Sequence, residues 1–151
     1  TSGPQDDILH SVIGFNFKYP NLLAAIGLAQ LKEIKSRVQQ ANQRHKWYRE
    51  LLRDSPNISF PGGEPRDGEM ILWTDIFVEN QLELMNRLES KNIGFRRFWM
   101  PLHRQPPYKK EDKKFPNAVH AWKRGVWLPS ALSLTYEQAA RVAEACIDAA
   151  G

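Results

Sequence analysis

The sequence predicts an α+β domain, with one long helix near the start and then a small, mostly antiparallel sheet with helices packed on one side. Three observations carry this. Leu31, Ile34, Val38, Ala41, His45, Tyr48 and Leu52 recur at alternating steps of three and four, the spacing of one helical face. Short runs rich in β-branched and aromatic residues, ISF, MILWTDIFV and IGFRRFW, follow Pro56. Strands and helices do not alternate afterwards at the rhythm of a βαβ series, which argues against a doubly wound parallel sheet.

Each element has its own signal. Residues 1–7 read as a loop, broken by Gly3 and Pro4, and the extended stretch ILHSVIGFNF runs on towards Pro20. The long helix is expected over about residues 21–54, with a break near Lys32, and Ser55, Pro56 and Asn57 end it. Lys35, Arg37, Gln40 and Gln43 form its wet face. The turn-rich GGEPRDG separates the first two strands. Asn80 is placed to cap the next helix with Glu83 as its reciprocal partner, and Leu82, Met85 and Leu88 are expected as the buried stripe. PLHRQPPYKKEDKKFP is irregular because of its prolines and charges. NAVHAWKRG reads as a short helix and VWLPS as a short strand. Thr135 and Gln138 make a second capping box, opening a last helix lined by Val142, Ala143, Cys146, Ile147 and Ala150.

Composition sets bounds rather than a function. The 151 residues suffice for one domain with a real core, and 42% apolar and 25% charged residues are ordinary globular usage. A net charge of +4 suits an anionic ligand such as a nucleotide and is too small to argue for nucleic acid. The single cysteine, Cys146, rules out an internal disulfide and reads as packing. No apolar run approaches the ~18 residues of a membrane span. The polar, acidic beginning TSGPQDD does not look like a signal peptide, so a cytoplasmic location is the expectation.

The chemistry-bearing residues are sparse. His10, His45, His103 and His120 show no metal-ligand spacing, so no metal site is expected. His45 lies on the apolar helical stripe, where a satisfied buried or boundary histidine is the reading. His120, beside Trp122, reads as packing. His103 sits in the proline-held loop between Trp99 and Tyr108, a setting that presents side chains to ligands. Lys109, Lys110, Lys113 and Lys114 read as a solvated face, with attraction of a diphosphate as the alternative. Trp73, Trp99, Trp122 and Trp127 are expected in the core, with base stacking as the alternative.

One segment says more. Gly14, Phe15, Asn16, Phe17 and Lys18 are followed by Ala24, Ala25, Gly27, Leu28, Gln30 and Leu31 in GFNFKYPNLLAAIGLAQL. This closely resembles the glycine-aromatic-asparagine motif and following helix of the DegT/StrS family of sugar-nucleotide aminotransferases. HSVIG, WYRELL, PLHRQPPY and WLPSALSLT resemble further family segments in the same order, so the likeness runs from about His10 to the end. Perosamine synthases look nearest. Lys18 and Tyr19 depart from the pattern, which has an arginine and then a methionine; a lysine keeps the charge but lacks the guanidinium fork.

The resemblance implies a fold-type I aminotransferase that uses pyridoxal phosphate. Residues 1–151 would then be its C-terminal small domain with the connecting helix, the large cofactor-binding domain and its Schiff-base lysine lying outside this chain. It implies an enzyme that aminates a keto-sugar nucleotide, of the 4-keto-6-deoxy type, with glutamate as the amino donor, working as a homodimer. Asn16 would reach the cofactor phosphate of the neighbouring subunit. His10, Lys18, Arg97, Trp99 and His103 would lie towards the substrate. No catalytic residue is expected in this chain, which alone would be inactive. Two alternatives stay open at this level: a dehydratase of the same family, since the lysine-or-histidine position that separates the two is not in this chain, and a stand-alone dimerisation or binding module.

Overall fold

The computed structural model describes residues 9–66 and 68–150. The loop expected at residues 1–7 lies outside them. In chain order the elements are α1 (Asn21–Lys32), α2 (Ile34–Leu51), β1 (Ile58–Ser59), β2 (Thr74–Val78), α3 (Gln81–Ser90), β3 (Arg96–Arg97), three 3₁₀ turns (Leu102–Arg104, Pro106–Tyr108, Asp112–Lys114), α4 (Pro116–Arg124), β4 (Gly125–Leu128) and α5 (Tyr136–Ala150). The expected α+β arrangement is what the chain adopts. Among the described residues four strands run β1-β2-β4-β3 and each pairing is antiparallel.

The helical region is broken where a break was expected, next to Lys32, and forms two helices. The break falls at Glu33, whose φ of −101° and ψ of 6° leave the helical region. Only the later part of the stripe is buried: Ala41, His45, Tyr48 and Leu52 are covered, whereas Leu31 and Ile34 stay exposed. α1 buries no residue at all. His45 is buried as expected, yet it is not satisfied, because neither ring nitrogen has a hydrogen-bond partner.

The core lies between one face of the sheet and the helices α2, α3 and α5. β2 alternates strictly, with Thr74, Ile76 and Val78 buried and Asp75 and Phe77 half-exposed on the other face. Val126 and Leu128 of β4 meet Leu84, Leu88, Ala139, Val142, Ala143 and Cys146 in the same cluster. Burial pushes the Cys146 thiol up to about 12, so this group packs rather than reacts. The Tyr48 hydroxyl, at the bottom of the core, donates to the Pro129 carbonyl at 3.1 Å.

Two stripes need correction. In α3 the buried residues are Leu84, Met85 and Leu88, while Leu82 is 57% exposed. In α5 Ile147 is 45% exposed, whereas Ala139 and Ala145 are buried; the side chain of Ala150 lies outside the described set. Asn80 and Thr135 cap their helices as expected, and of the two expected boxes only the second is reciprocal among the described residues. Asn80 accepts the Glu83 N–H at 3.1 Å, and Thr135 and Gln138 exchange both bonds of a capping box. α4 is the exception to one-sided packing: His120 meets Phe77 edge-on at 5.7 Å, on the sheet face away from the core.

Candidate functional site

The proline-rich segment after β3 is held by a single carboxylate. Asp112 receives His103 Nε2 at 3.0 Å and Arg104 Nε at 2.9 Å on one oxygen, and Arg104 Nη2 on the other. These bonds, Arg104's first, hold its carboxyl down at about 2. The His103 ring stacks on Phe115 at 4.5 Å and is only 5% exposed, and the His103 carbonyl accepts the Lys110 N–H at 2.8 Å. The Arg104 guanidinium lies 4.3 Å above Trp122, which also carries Arg97 at 5.0 Å. His103 therefore braces the loop in this structure rather than presenting its ring to solvent. The lysines from Lys109 to Lys114 are exposed, as a solvated face requires.

His10 is brought to this loop across ninety-five positions of sequence, its backbone N–H donating to Gln105 Oε1 at 2.8 Å. The following segment carries Asn16 and Lys18, both exposed and outside regular structure. Phe15 and Phe17 stack on each other at 5.3 Å. The Tyr19 hydroxyl donates to the Leu23 carbonyl at 3.3 Å and lies so close to Gly27 that a Cβ there would touch it at 2.7 Å. His10 thus joins the loop of His103, while no bond ties Asn16 or Lys18 to it.

The sheet face opposite the core brings together three of the four tryptophans expected in the core, Trp73, Trp99 and Trp127. Trp73 and Trp127 stack at 4.9 Å with only 9° between their planes, and Trp99 meets Trp127 edge-on at 4.9 Å. The Arg96 guanidinium lies 5.6 Å from Trp99 and 6.0 Å from Trp127. Asp75 is cross-strand from Trp127. Far from filling the core, Trp73 is 49% and Trp99 59% exposed, and Trp122 and Trp127 are half-buried. The signal that could have found them is the two-residue alternation through Trp73, Asp75 and Phe77, which assigns all three to one face.

Among the described residues every lysine is exposed except Lys91, which pairs with Asp148 at 2.8 Å. No group of three or more His, Cys, Asp or Glu side chains among them could hold a metal ion. No helix among them is long and apolar enough to cross a membrane.

The model of the DegT/DnrJ/EryC1/StrS aminotransferase family matches residues 2–147. The chain belongs to this family. It is 32% identical over 145 residues to a candidate pyridoxal phosphate-dependent aminotransferase, EpsN of Bacillus subtilis (strain 168), covering 89% of this chain and 37% of that protein. It is 31% identical over 139 residues to a GDP-perosamine synthase of Escherichia coli O157:H7, again covering 89% of this chain and 37% of the relative. The fold matches S. venezuelae DesV, solved with a ketimine intermediate, at a TM-score of 0.79 and 22% identity, over 97% of this chain and 40% of that one. This DegT/DnrJ/EryC1/StrS chain therefore spans well under half the length of these relatives.

Proposed function

We propose that this chain is the small-domain part of a cytoplasmic, pyridoxal-phosphate-dependent aminotransferase that transfers an amino group to a keto-sugar nucleotide, of the 4-keto-6-deoxy type, with glutamate as donor. The observation that carries the reading is the family match across residues 2–147 together with the 31% identity to a GDP-perosamine synthase. The rest of the enzyme, including the lysine that anchors the cofactor, lies outside these residues. An anchoring lysine works from a pocket that lowers its proton affinity by desolvation or a neighbouring cation. Every described lysine but Lys91 is exposed, and Lys91 is engaged with Asp148, which supports an anchor elsewhere.

The residues present fit a supporting role beside the cofactor. Pyridoxal phosphate supplies the electron sink when it is bound. Asn16, exposed ahead of α1, offers a carboxamide N–H to a phosphate oxygen of the neighbouring subunit's cofactor without adding charge. Lys18 adds an exposed cation on the same segment. Arg97, Trp99, His10 and His103 belong to the substrate side, His103 by holding the loop and His10 by its tie to Gln105. The exposed apolar side chains of the segment, Phe15 and Phe17 among them, suit a homodimer interface there.

The test is Asn16→Ala in the full-length enzyme. Losing one hydrogen bond to a charged phosphate costs about 1.5–3 kcal/mol, roughly ten- to a hundredfold in cofactor affinity. An unchanged dissociation constant would remove the phosphate role. The companion experiment mixes the 151-residue chain with pyridoxal phosphate and reduces with borohydride. Mass spectrometry should find no single lysine labelled stoichiometrically, and finding one would sink the reading that the anchor lies elsewhere.

A further inference from the structure

The chain between β3 and α4 has little regular structure of its own to hold it. It is built on three 3₁₀ turns of three residues each, Leu102–Arg104, Pro106–Tyr108 and Asp112–Lys114, and such turns are too short to fix one another by their own hydrogen bonds. Asp112 clamps the first turn to the third. One of its oxygens accepts from His103 Nε2 at 3.0 Å and Arg104 Nε at 2.9 Å, and the other accepts from Arg104 Nη2. A lone exposed ion pair is worth little, and Lys113 with Glu111, both largely exposed, is of that kind. Asp112 differs, because its donors include a bidentate guanidinium that also lies 4.3 Å above the Trp122 ring.

The residue after the clamped turn is Gln105, itself buried, whose N–H donates to the Leu102 carbonyl at 3.0 Å and whose Oε1 accepts the His10 N–H at 2.8 Å. Residues 9–20 are all exposed and lie outside helices and strands. At its far end this segment hangs on α1, which buries no residue. The bond between His10 and Gln105 therefore ties the segment to the folded part of the domain from its near end. Asn16 stands six positions after His10, and six extended residues reach at most ~20 Å. A displacement of Gln105 is thus passed on to Asn16 and Lys18, and Gln105 is placed by the turn that Asp112 holds.

We propose that Asp112 is a positioning residue: through His103, Arg104 and Gln105 it sets where the segment bearing Asn16 and Lys18 lies, and it touches neither cofactor nor substrate itself. This role rests on the aminotransferase reading above only for what Asn16 and Lys18 meet. Replacing the carboxylate by a carboxamide sets an NH₂ group against one of the same donors, so Asp112→Asn opens the clamp with little change of shape.

The test is made in the full-length enzyme with pyridoxal phosphate bound. Deuterium exchange of the His10 amide reads the tie directly and needs no turnover. Asp112→Asn and Gln105→Leu should each speed it roughly tenfold, the effect on local opening of losing one such bond, with α5 unchanged. Glu111→Gln, one position away and outside the clamp, should leave it as in wild type. Cofactor retention is the second readout. Both variants should weaken it, and the double variant should weaken it no more than Gln105→Leu alone, because the two residues act in series. An unmoved His10 amide in Asp112→Asn, an equal rise throughout α5, the same effect from Glu111→Gln, or additive losses in the double variant would each overturn the role of Asp112. If the His10 amide responds while cofactor retention does not, the positioning stands and the phosphate role of Asn16 falls.

Discussion

Two aspartates are shifted in opposite directions, and their effects on stability occupy different pH windows. Asp112 is held at about 2, below an ordinary carboxyl near ~3.9, so its contribution is present above about pH 4 and lost as pH falls towards 2. Burial raises Asp75 to about 6, so the fold favours its protonated form and stability falls as pH rises from about 4 to about 6. His45 works against Asp75, because its lowered proton affinity makes stability fall as pH drops below ~6.5. The difference between wild type and Asp75→Asn isolates one group: the variant's melting temperature should gain on wild type from pH 4 to 6 and run parallel to it above. A constant offset across that range would show that Asp75 is not shifted. Gly125 is sensitive for another reason, since a Cβ there would run into the Phe98 ring and the Ala121 carbonyl oxygen. Gly125→Ala should destabilise by about 1–3 kcal/mol, read from urea unfolding, as overpacking does. Single residues were legible in the sequence where their own neighbours decide their role, as with Asn80, Thr135 and Cys146. They were illegible where distant chain decides it. Nothing near His103 in the pattern says that Asp112 and Phe115 will cover its ring, and nothing near Trp73 says that Trp127 will stack on it.

At the scale of elements, α3 shows how much its ends contribute. Asn80 satisfies one first-turn donor. At the other end Asn92 takes a left-handed φ of 54°, the Ile93 N–H reaches the Leu88 carbonyl at 2.9 Å and the Asn92 N–H reaches Glu89 at 2.9 Å, a Schellman turn. Asn80→Ala should cost about 1 kcal/mol. Asn92→Gly should gain a few tenths to about 1 kcal/mol, since asparagine tolerates this conformation less freely than glycine. Chemical denaturation of both variants checks the pair, and a loss on Asn92→Gly would count against the turn. The strands were the least legible elements, and the cause is visible. MILWTDIFV forms only the strand Thr74–Val78, because the backbone ahead of it is taken by side chains of α2. Arg44 donates to the Ile71 and Leu72 carbonyls at 3.1 and 3.0 Å, and Asn42 Oδ1 accepts the Ile71 N–H at 3.0 Å. Strand propensity cannot foresee a competitor 27 to 29 positions away. IGFRRFW keeps two strand residues because β3 is an edge with β4 as its one neighbour.

For the molecule as a whole, the apolar side chains are divided unevenly. Val12, Ile13, Phe15, Phe17, Tyr19, Leu22, Leu28 and Leu31 are each more than half exposed, a band far beyond scattered surface hydrophobics. The isolated chain should therefore self-associate, with sedimentation velocity showing species above 17.4 kDa at micromolar concentration and Phe15→Ser with Phe17→Ser reducing them. A monomer at those concentrations would show that the band is not adhesive. The break at Glu33 has a consequence in time as well as in space. α1 has no buried residue, whereas Ala41, Arg44, His45 and Tyr48 tie the later turns of α2 to the core. A helix without tertiary cover depends on its own propagation, and twelve residues are marginal for that. In deuterium oxide the amides of α1 should trade their protons within seconds, while those around Tyr48 wait for the entire domain to open. The two helices, nearly continuous along the chain, would then belong to separate cooperative units, the first borrowing its order from whatever covers it.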